Sequence, residues 1–504
     1  MRKESVIFNL WFVCFIAWVT LLVVSGTAGA QSTPKLDAFY TIGEMNKASI
    51  VMLCEKGLVP KPIGGKIARG ITQQLSEGDQ PGAKRPTDYL VIEARLTDLV
   101  GEDASRVHTG RSRQDMGSTT ERIFLREALL ETFENMNKAR GSLLLLASKN
   151  VDTIIPAYTH GVQAQPTTFA HYLLALAESL NRDGDRLRQA YARINLSPLG
   201  AAALGTSSFP IDRARLAVLL GFDGIADNSY GANHVSPAET NIEFACDLAI
   251  SAITIGHFVQ DIHTQYHDPV PWFMLKEGEL TGISSIMPQK RNPWALNTLR
   301  QACSRVVGNA QSTFVMAHNV TSGMFDVRSS AQAVEAARNA NAMYKLLGDI
   351  MDNLVVNRER ALAEVNADYS TMTEVADMLV REGNVPFRIG HHFASELTNY
   401  GRSTGKRPTE IPYTEAVRIY RDVAGEKLPL TEAQFKASMS AENMVFGALG
   451  RGGPQREEVN RMLLEQRRDL TVQMEWVMTQ RANLQNASTA LQKEFKALAE
   501  TESK

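Results

Sequence analysis

Past residue 30, apolar positions recur at three-to-four spacing over long stretches of this chain. Residues 237–267 place Ile242, Cys246, Ala249 and Ile253 on one face, behind Pro237 near a helix start. Residues 116–149, 166–192, 294–318 and 330–365 continue the pattern, and Pro166-Thr167-Thr168 reads as a start signal. Few segments alternate with period two, and no Asn-Gly or Asp-Gly stands between apolar runs. The pattern predicts an all-α fold with long central helices. Gly and Pro gather at 58–65, 195–210, 278–293 and 452–454, while the polar stretch 482–504 is expected to fray.

The first thirty residues follow a different order. Arg2 and Lys3 precede an apolar run from Val6 to Val24, then Ala28-Gly29-Ala30. That order of charged, apolar and small residues predicts a secretory signal and an exported, periplasmic or secreted protein. The run is nearly long enough to span a bilayer, so an uncleaved anchor over residues 6–24 is the second reading. Only in that reading does the protein meet a membrane.

Composition narrows the partners. The 504 residues are 44% hydrophobic and 21% charged, as in a soluble globular protein. Lys plus Arg total 53 against 55 Asp plus Glu, a net charge of -2, which gives no global electrostatic case for nucleic acid. Of four Cys, Cys14 lies in the leading segment. Cys54, Cys246 and Cys303 form no disulfide framework and read as small hydrophobes.

Three segments carry candidate chemistry. Residues 281–293 read Thr-Gly-Ile-Ser-Ser-Ile-Met-Pro-Gln-Lys-Arg-Asn-Pro, a loop with hydroxyls, amides and two cations. Ser284 beside Lys290 loses its proton more readily than a hydroxyl in water. Residues 105–115 hold Arg106, Arg111 and Arg113, whose forks match carboxylates. Residues 158–166 contain His160, a residue type suited to proton donation or relay. Each segment alone also reads as a polar turn or a structural histidine. No His-x-x-x-His or Cys-x-x-Cys spacing supports a metal, and no Gly-rich fingerprint supports a dinucleotide.

Together these segments resemble a known family. SSIMPQKRNP resembles the signature loop of the fumarase/aspartase superfamily, and HTGRSRQD, YTH, FPIDRARLAVLLGF and DNS resemble argininosuccinate lyases, in order over residues 36–470. The resemblance implies a subunit of three all-α domains with a long central helix bundle. The expected boundaries are 31–114, 115–366 with the signature loop at 281–293, and 367–504. It also implies a homotetramer with active sites shared between subunits, no metal and no organic cofactor, and elimination of fumarate from a substituted succinate. By position, Ser284 matches the catalytic base and His160 the histidine near the leaving nitrogen, with Thr159 beside it. Lys290 and Asn292 match residues that hold a substrate carboxylate, and Arg113 matches a carboxylate-binding arginine.

The departures from the family are informative. Ile283 replaces a Gly, Gln114 an Asn, and Ser236-Pro237-Ala238-Glu239 a Ser-Asp-Arg-Asp, so an arginine is missing. The family's Tyr, Gln and Lys that hold the arginine half fall, carried across without a gap, on Met324, Ser329 and Gln332. A site built to hydrogen-bond one group loses selectivity steeply without those partners. The expected activity is therefore a carbon–nitrogen lyase acting on a small dicarboxylate amine. Its substrate is an N-substituted aspartate, with an aminopolycarboxylate such as ethylenediamine-disuccinate as one candidate. True argininosuccinate lyase is the alternative within the class, and a non-catalytic structural or small-ligand-binding protein the alternative outside it.

Overall fold

A computed structural model describes residues 36–324 and 328–501. The expected secretory or anchoring segment, residues 1–30, lies outside the described residues. The fold is all-α, with four short two-stranded sheets at helix junctions among the described residues.

Three helices open the described residues: α1 (Ala38–Glu55), α2 (Lys61–Gly78) and α3 (Tyr89–Val100). Asp37 caps α1 by accepting from the Tyr40 amide, and Asp88 caps α3. Their apolar faces meet in a core around Met45, Leu53, Ile67 and Leu96. Helix α4 (Arg113–Ser148) follows, its start fixed by a reciprocal cap. Ser112 Oγ accepts from the Gln114 amide, and the Asp115 carboxylate accepts from the Ser112 amide. Its 36 residues make it about 54 Å long.

Strands β1 (Ile154–Thr159) and β2 (Val162–Thr168) form an antiparallel hairpin that the apolar pattern did not announce. Its turn is His160-Gly161, with φ of +53° and +77°. Positive φ at both turn residues is what an Asn-Gly turn supplies, and His visits that region more readily than most side chains. Helix α5 (Phe169–Ile194) therefore starts later than residue 166. Pro166 and Thr167 pair in the hairpin, and Thr168 is the cap.

Helix α6 (Arg213–Leu219) sits between the paired strands β3 (Leu196–Ser197) and β4 (Gly224–Ile225). Helices α7 (Ser229–His234) and α8 (Ser236–Gln265) lead to β5 (Phe273–Leu275) and to the small hairpin of β6 (Gly282–Ile283) and β7 (Arg291–Asn292). Helices α9 (Trp294–Ala317) and α10 (Ala331–Asn353) complete the long central elements. The expected continuous helix over 330–365 is interrupted. The β-branched run of β8 (Leu354–Val356) pairs with β5, and Asn357 caps a new helix, α11 (Arg358–Ala367). Phe133, Leu180, Ile255, Val306 and Leu347 mark the bundle core.

The C-terminal helices α12 (Met372–Gly383), α13 (Phe387–Thr404), α14 (Tyr413–Ala424) and α15 (Glu432–Ser438) enclose a core around Leu379, Phe393, Tyr420 and Phe435, while α16 (Ala441–Phe446) packs Ala441 and Val445 with Ile154 and Val365. The described residues beyond 367 do not all join that core, however. The last helix, α17 (Arg456–Ala499), returns along the bundle with Leu463, Leu470 and Val477. It then seats Leu491, Phe495 and Leu498 in the N-terminal core. The stretch expected to fray is helical to Ala499, because those three side chains recur at helical spacing on one buried face.

Candidate active site

The signature loop is a closed turn between β5 and α9. Gly282 pairs with Asn292 and Ile283 with Arg291. The Ser284 amide donates to the Lys290 carbonyl at 3.4 Å and the Lys290 amide to the Met287 carbonyl at 3.0 Å. The Met287 amide donates to Ser284 Oγ at 3.2 Å. Arg291 donates to the Pro288 carbonyl and pairs with Glu277 at 2.9 Å, while the Trp294 indole donates to the Glu279 carbonyl. Ser284, Lys290 and Asn292 thus stand on one short scaffold. Ile283 and Ile286 on the same loop are 76% and 82% exposed, so one chain leaves this apolar face uncovered.

Thr159 and His160 lie exposed at the tip of the β1–β2 hairpin. Gln163 anchors the hairpin by donating to the carbonyls of Glu364 and Val365 and to the Ser370 hydroxyl. Tyr158 lies close to Trp272 and Gln265. The hairpin therefore belongs to the end of the bundle where α8 finishes.

The other predicted residues occupy the opposite end. Of the three arginines in 105–115, Arg111 is buried on Ser49, Asn46 and Tyr89, and Arg106 pairs with Asp103. Arg113 is 64% exposed, 3.8 Å from Asp88. The Gln114 carbonyl accepts from Arg328, and its Oε1 is buried without a partner. Met324 is exposed. The Ser329 carbonyl accepts from Asn241 at 2.9 Å, and Gln332 Oε1 from Asn309 at 3.3 Å. Ala238, Asn241, Thr313, Ser329 and Gln332 line a common cleft between the start of α8, the end of α9 and the start of α10.

Sequence reasoning missed the residues that hold this end together. Asp115 is fully buried, and its carboxylate accepts from the amides of Ser112, Met116, Gly200 and Ala202. Burial pushes its pKa up to about 6, while the amide donors pull it back down. Asn233 donates to the carbonyls of Ala202 and Ala203. His234 Nε2 lies 3.0 Å from the Ala203 carbonyl, which only accepts, so that nitrogen carries the proton. The Tyr230 hydroxyl meets Ser322 Oγ at 2.8 Å and secures the segment leading to Met324. The positive φ of Ala202 (+53°) and of Thr206 (+59°), invisible in sequence, marks loop 200–206 as held against its preference.

One chain does not assemble these groups. Arg113 and His160 are separated by the length of α4, about 54 Å. Ser284 and the Gln332 cleft are separated by α9, whose 24 residues span about 36 Å.

Residues 53–308 match the lyase family model, and residues 369–445 match the argininosuccinate lyase C-terminal model. The chain is 31% identical over 428 residues to argininosuccinate lyase of Methanosphaera stadtmanae, across 82% of this chain and 90% of that one. It is 33% identical over 426 residues to argininosuccinate lyase of Methanocaldococcus jannaschii, across 82% and 85%. The chain belongs to the argininosuccinate lyase family. Among solved structures, EDDS lyase in complex with formate superposes with a TM-score of 0.85 at 28% identity, over 92% of both chains. The 3-carboxy-cis,cis-muconate lactonizing enzyme of Pseudomonas putida shares the fold, with a TM-score of 0.66 at 20% identity over 85% of this chain and 95% of that one. This argininosuccinate lyase relative is thus a fumarase/aspartase superfamily member whose chemistry-bearing loops stand at opposite ends of its own bundle.

Proposed function

We propose that this carbon–nitrogen lyase eliminates fumarate from an N-substituted aspartate other than argininosuccinate, in sites assembled from neighbouring copies of the chain. The observation that carries the reading is the signature loop. Its turn directs the Met287 amide at Ser284 Oγ and keeps Lys290 on the same scaffold. A hydroxyl that accepts a fixed amide beside a cation gives up its proton at reduced cost.

In the proposed reaction, Ser284 as alkoxide takes the proton from the carbon beside a carboxylate. The electron pair moves into that carboxylate, which Lys290, Asn292 and Arg113 hold while its charge grows. The pair then forms the carbon–carbon double bond as the carbon–nitrogen bond breaks. His160, with Thr159 beside it, serves the proton delivered to the departing nitrogen. Fumarate and a free amine result.

Two features support an assembled site. The central helices leave apolar side chains uncovered, among them Ile250 and Ile253 on α8 and Val315 on α9, which is 74% exposed. Antiparallel packing of copies through such faces brings the Ser284 end of one bundle to the Arg113 end of another, as a homotetramer of closed symmetry does. The changed positions Met324, Ser329 and Gln332 support a different amine, as does export if the leading segment directs it. The likeness to EDDS lyase makes an aminopolycarboxylate one candidate. The identity to argininosuccinate lyases favours argininosuccinate as the second reading.

The test follows fumarate by ultraviolet absorbance over argininosuccinate, ethylenediamine-disuccinate and simpler N-substituted aspartates. Fumarate from any of them that is lost in Ser284→Ala supports the lyase. Silence across the panel overturns it, and best turnover of argininosuccinate overturns the changed amine.

A further inference from the structure

Three departures from the family that are remote in sequence meet in one place. Ala238 begins α8, while Ser329 precedes α10 and Gln332 lies in its first turn, yet all three line the same cleft. Met316 and Ala317 complete its wall. The lining carries no ionised side chain among the described residues. Two of the three changes, at 238 and 332, replace a cation of the family pattern with a neutral residue.

Three charged residues next to the cleft wall, Glu121, Arg122 and Arg328, are committed elsewhere. Glu121 accepts from both the amide and the hydroxyl of Ser330. Arg122, 2% exposed, donates to the carbonyls of Arg193 and Ile194 and to the Ser236 hydroxyl. Arg328 donates to the Gln114 carbonyl. Turning any of these toward a ligand would strand a buried partner. Asn241, 5% exposed on the cleft wall, keeps its Oδ1 buried without a partner, and Gln332 adds a second neutral amide.

A carboxylate brought into such a cleft would lose its water without gaining a cation from the described lining of this chain. A hydroxyl, an amide or an apolar group would not meet that cost. We infer that the leaving amine carries no carboxylate on the part that enters this cleft. The substrate class is then N-alkyl, N-aryl or N-hydroxyalkyl aspartates, in which the only carboxylates are those of the succinyl half. The inference rests on the proposed lyase reading and narrows it: argininosuccinate and ethylenediamine-disuccinate both place a further carboxylate on the amine side.

The experiment compares kcat/KM for N-benzylaspartate and N-hydroxyethylaspartate with that for argininosuccinate and ethylenediamine-disuccinate. The carboxylate-free substrates are expected to lead by about tenfold or more. The double variant Ala238→Arg with Gln332→Lys returns two cations to the cleft and is expected to move the preference toward the carboxylate-bearing pair. Best turnover of either carboxylate-bearing substrate by the unaltered enzyme overturns the inference and leaves the lyase standing. An unmoved preference in a folded double variant overturns the role of the cleft. No fumarate from any substrate removes both.

Discussion

The amide of Met287 donates to Ser284 Oγ across the signature turn at 3.2 Å, so the hydroxyl meets a fixed donor before any substrate arrives. A neutral serine gains little from one more N–H, whereas an alkoxide gains much more, because a charge-assisted hydrogen bond is stronger. Ser284→Ala is therefore expected to lower kcat by about 10²–10⁴-fold, the usual worth of a positioned acid or base. The side chain is half-buried in a solvent-facing turn, so melting temperature and oligomeric state should not move. Retained activity in that variant would remove the serine from the chemistry.

Gly161 supplies the second half of the hairpin turn at φ +77°, and a Cβ added there meets nothing within 4 Å. The cost of Gly161→Ala is then backbone strain alone, about 1 kcal/mol. That strain acts where His160 is aimed. Thermal unfolding should show a small shift and the fumarate assay a larger loss, while Gly161→Asn, which tolerates positive φ, should lose less. Equal losses in both variants would mean that turn geometry does not govern His160.

Some of this was legible in the sequence because it rests on rare residue types at fixed spacing. Ser284, Lys290 and Asn292 sit in one uninterrupted string, and the structure places them on one turn. The long helices announced themselves because their apolar faces repeat. Asp115, Asn233 and His234 were not legible. Nothing local distinguishes a buried carboxylate that gathers four amides from a solvated one. The His160-Gly161 turn was missed because positive φ was sought only at Asn and Asp. The end of α17 looked polar because one apolar residue in three or four is enough to bury a helix face.

Phe495 tests that last point. It is 5% exposed, between Leu491 and Leu498, in the core formed by the first three helices. Phe495→Ala removes a large side chain that the neighbouring helices cannot fully replace, at a cost of about 3–5 kcal/mol. Chemical denaturation should report that loss, and a change below about 1 kcal/mol would mean that the C-terminal turns only lean on the N-terminal core.

Two residues near the start of α4 should respond to acid in opposite senses. His108 stacks on Tyr89 with ring centroids 4.6 Å apart, and burial together with the Arg111 charge holds its pKa down to about 4. As pH falls from 6.5 to 4 the unfolded imidazole takes its proton before the native one, so stability is lost over that window. Asp115 works in the opposite sense. Its native carboxyl protonates near 6 and its unfolded one near 3.8, so falling pH adds stability between those values. The two effects offset each other in the unaltered protein. His108→Phe keeps the stack and removes the first effect, so this variant should gain on the parent as pH falls to about 4. Denaturation midpoints that keep a constant gap from neutral pH downward would refute the assignment.

The separation of Arg113 from Ser284 and His160 makes the sharpest prediction. If sites are built between copies, Arg113→Gln and Ser284→Ala each abolish every site in a uniform oligomer. In a mixed oligomer some sites draw Ser284 from the Arg113→Gln chain and Arg113 from the Ser284→Ala chain. With random assembly about a quarter of sites recover both groups. Co-expressed variants should therefore regain roughly that fraction of the parent rate, while the same two proteins purified apart and mixed without dissociation should stay inactive. A site confined to one chain cannot behave this way, since every chain in the mixture carries one defect. Activity restored by co-assembly would place the two residues in a common site despite the 54 Å or so of helix that lies between the ends of each bundle. Its absence in oligomers shown to be mixed would return both residues to the chain that carries them.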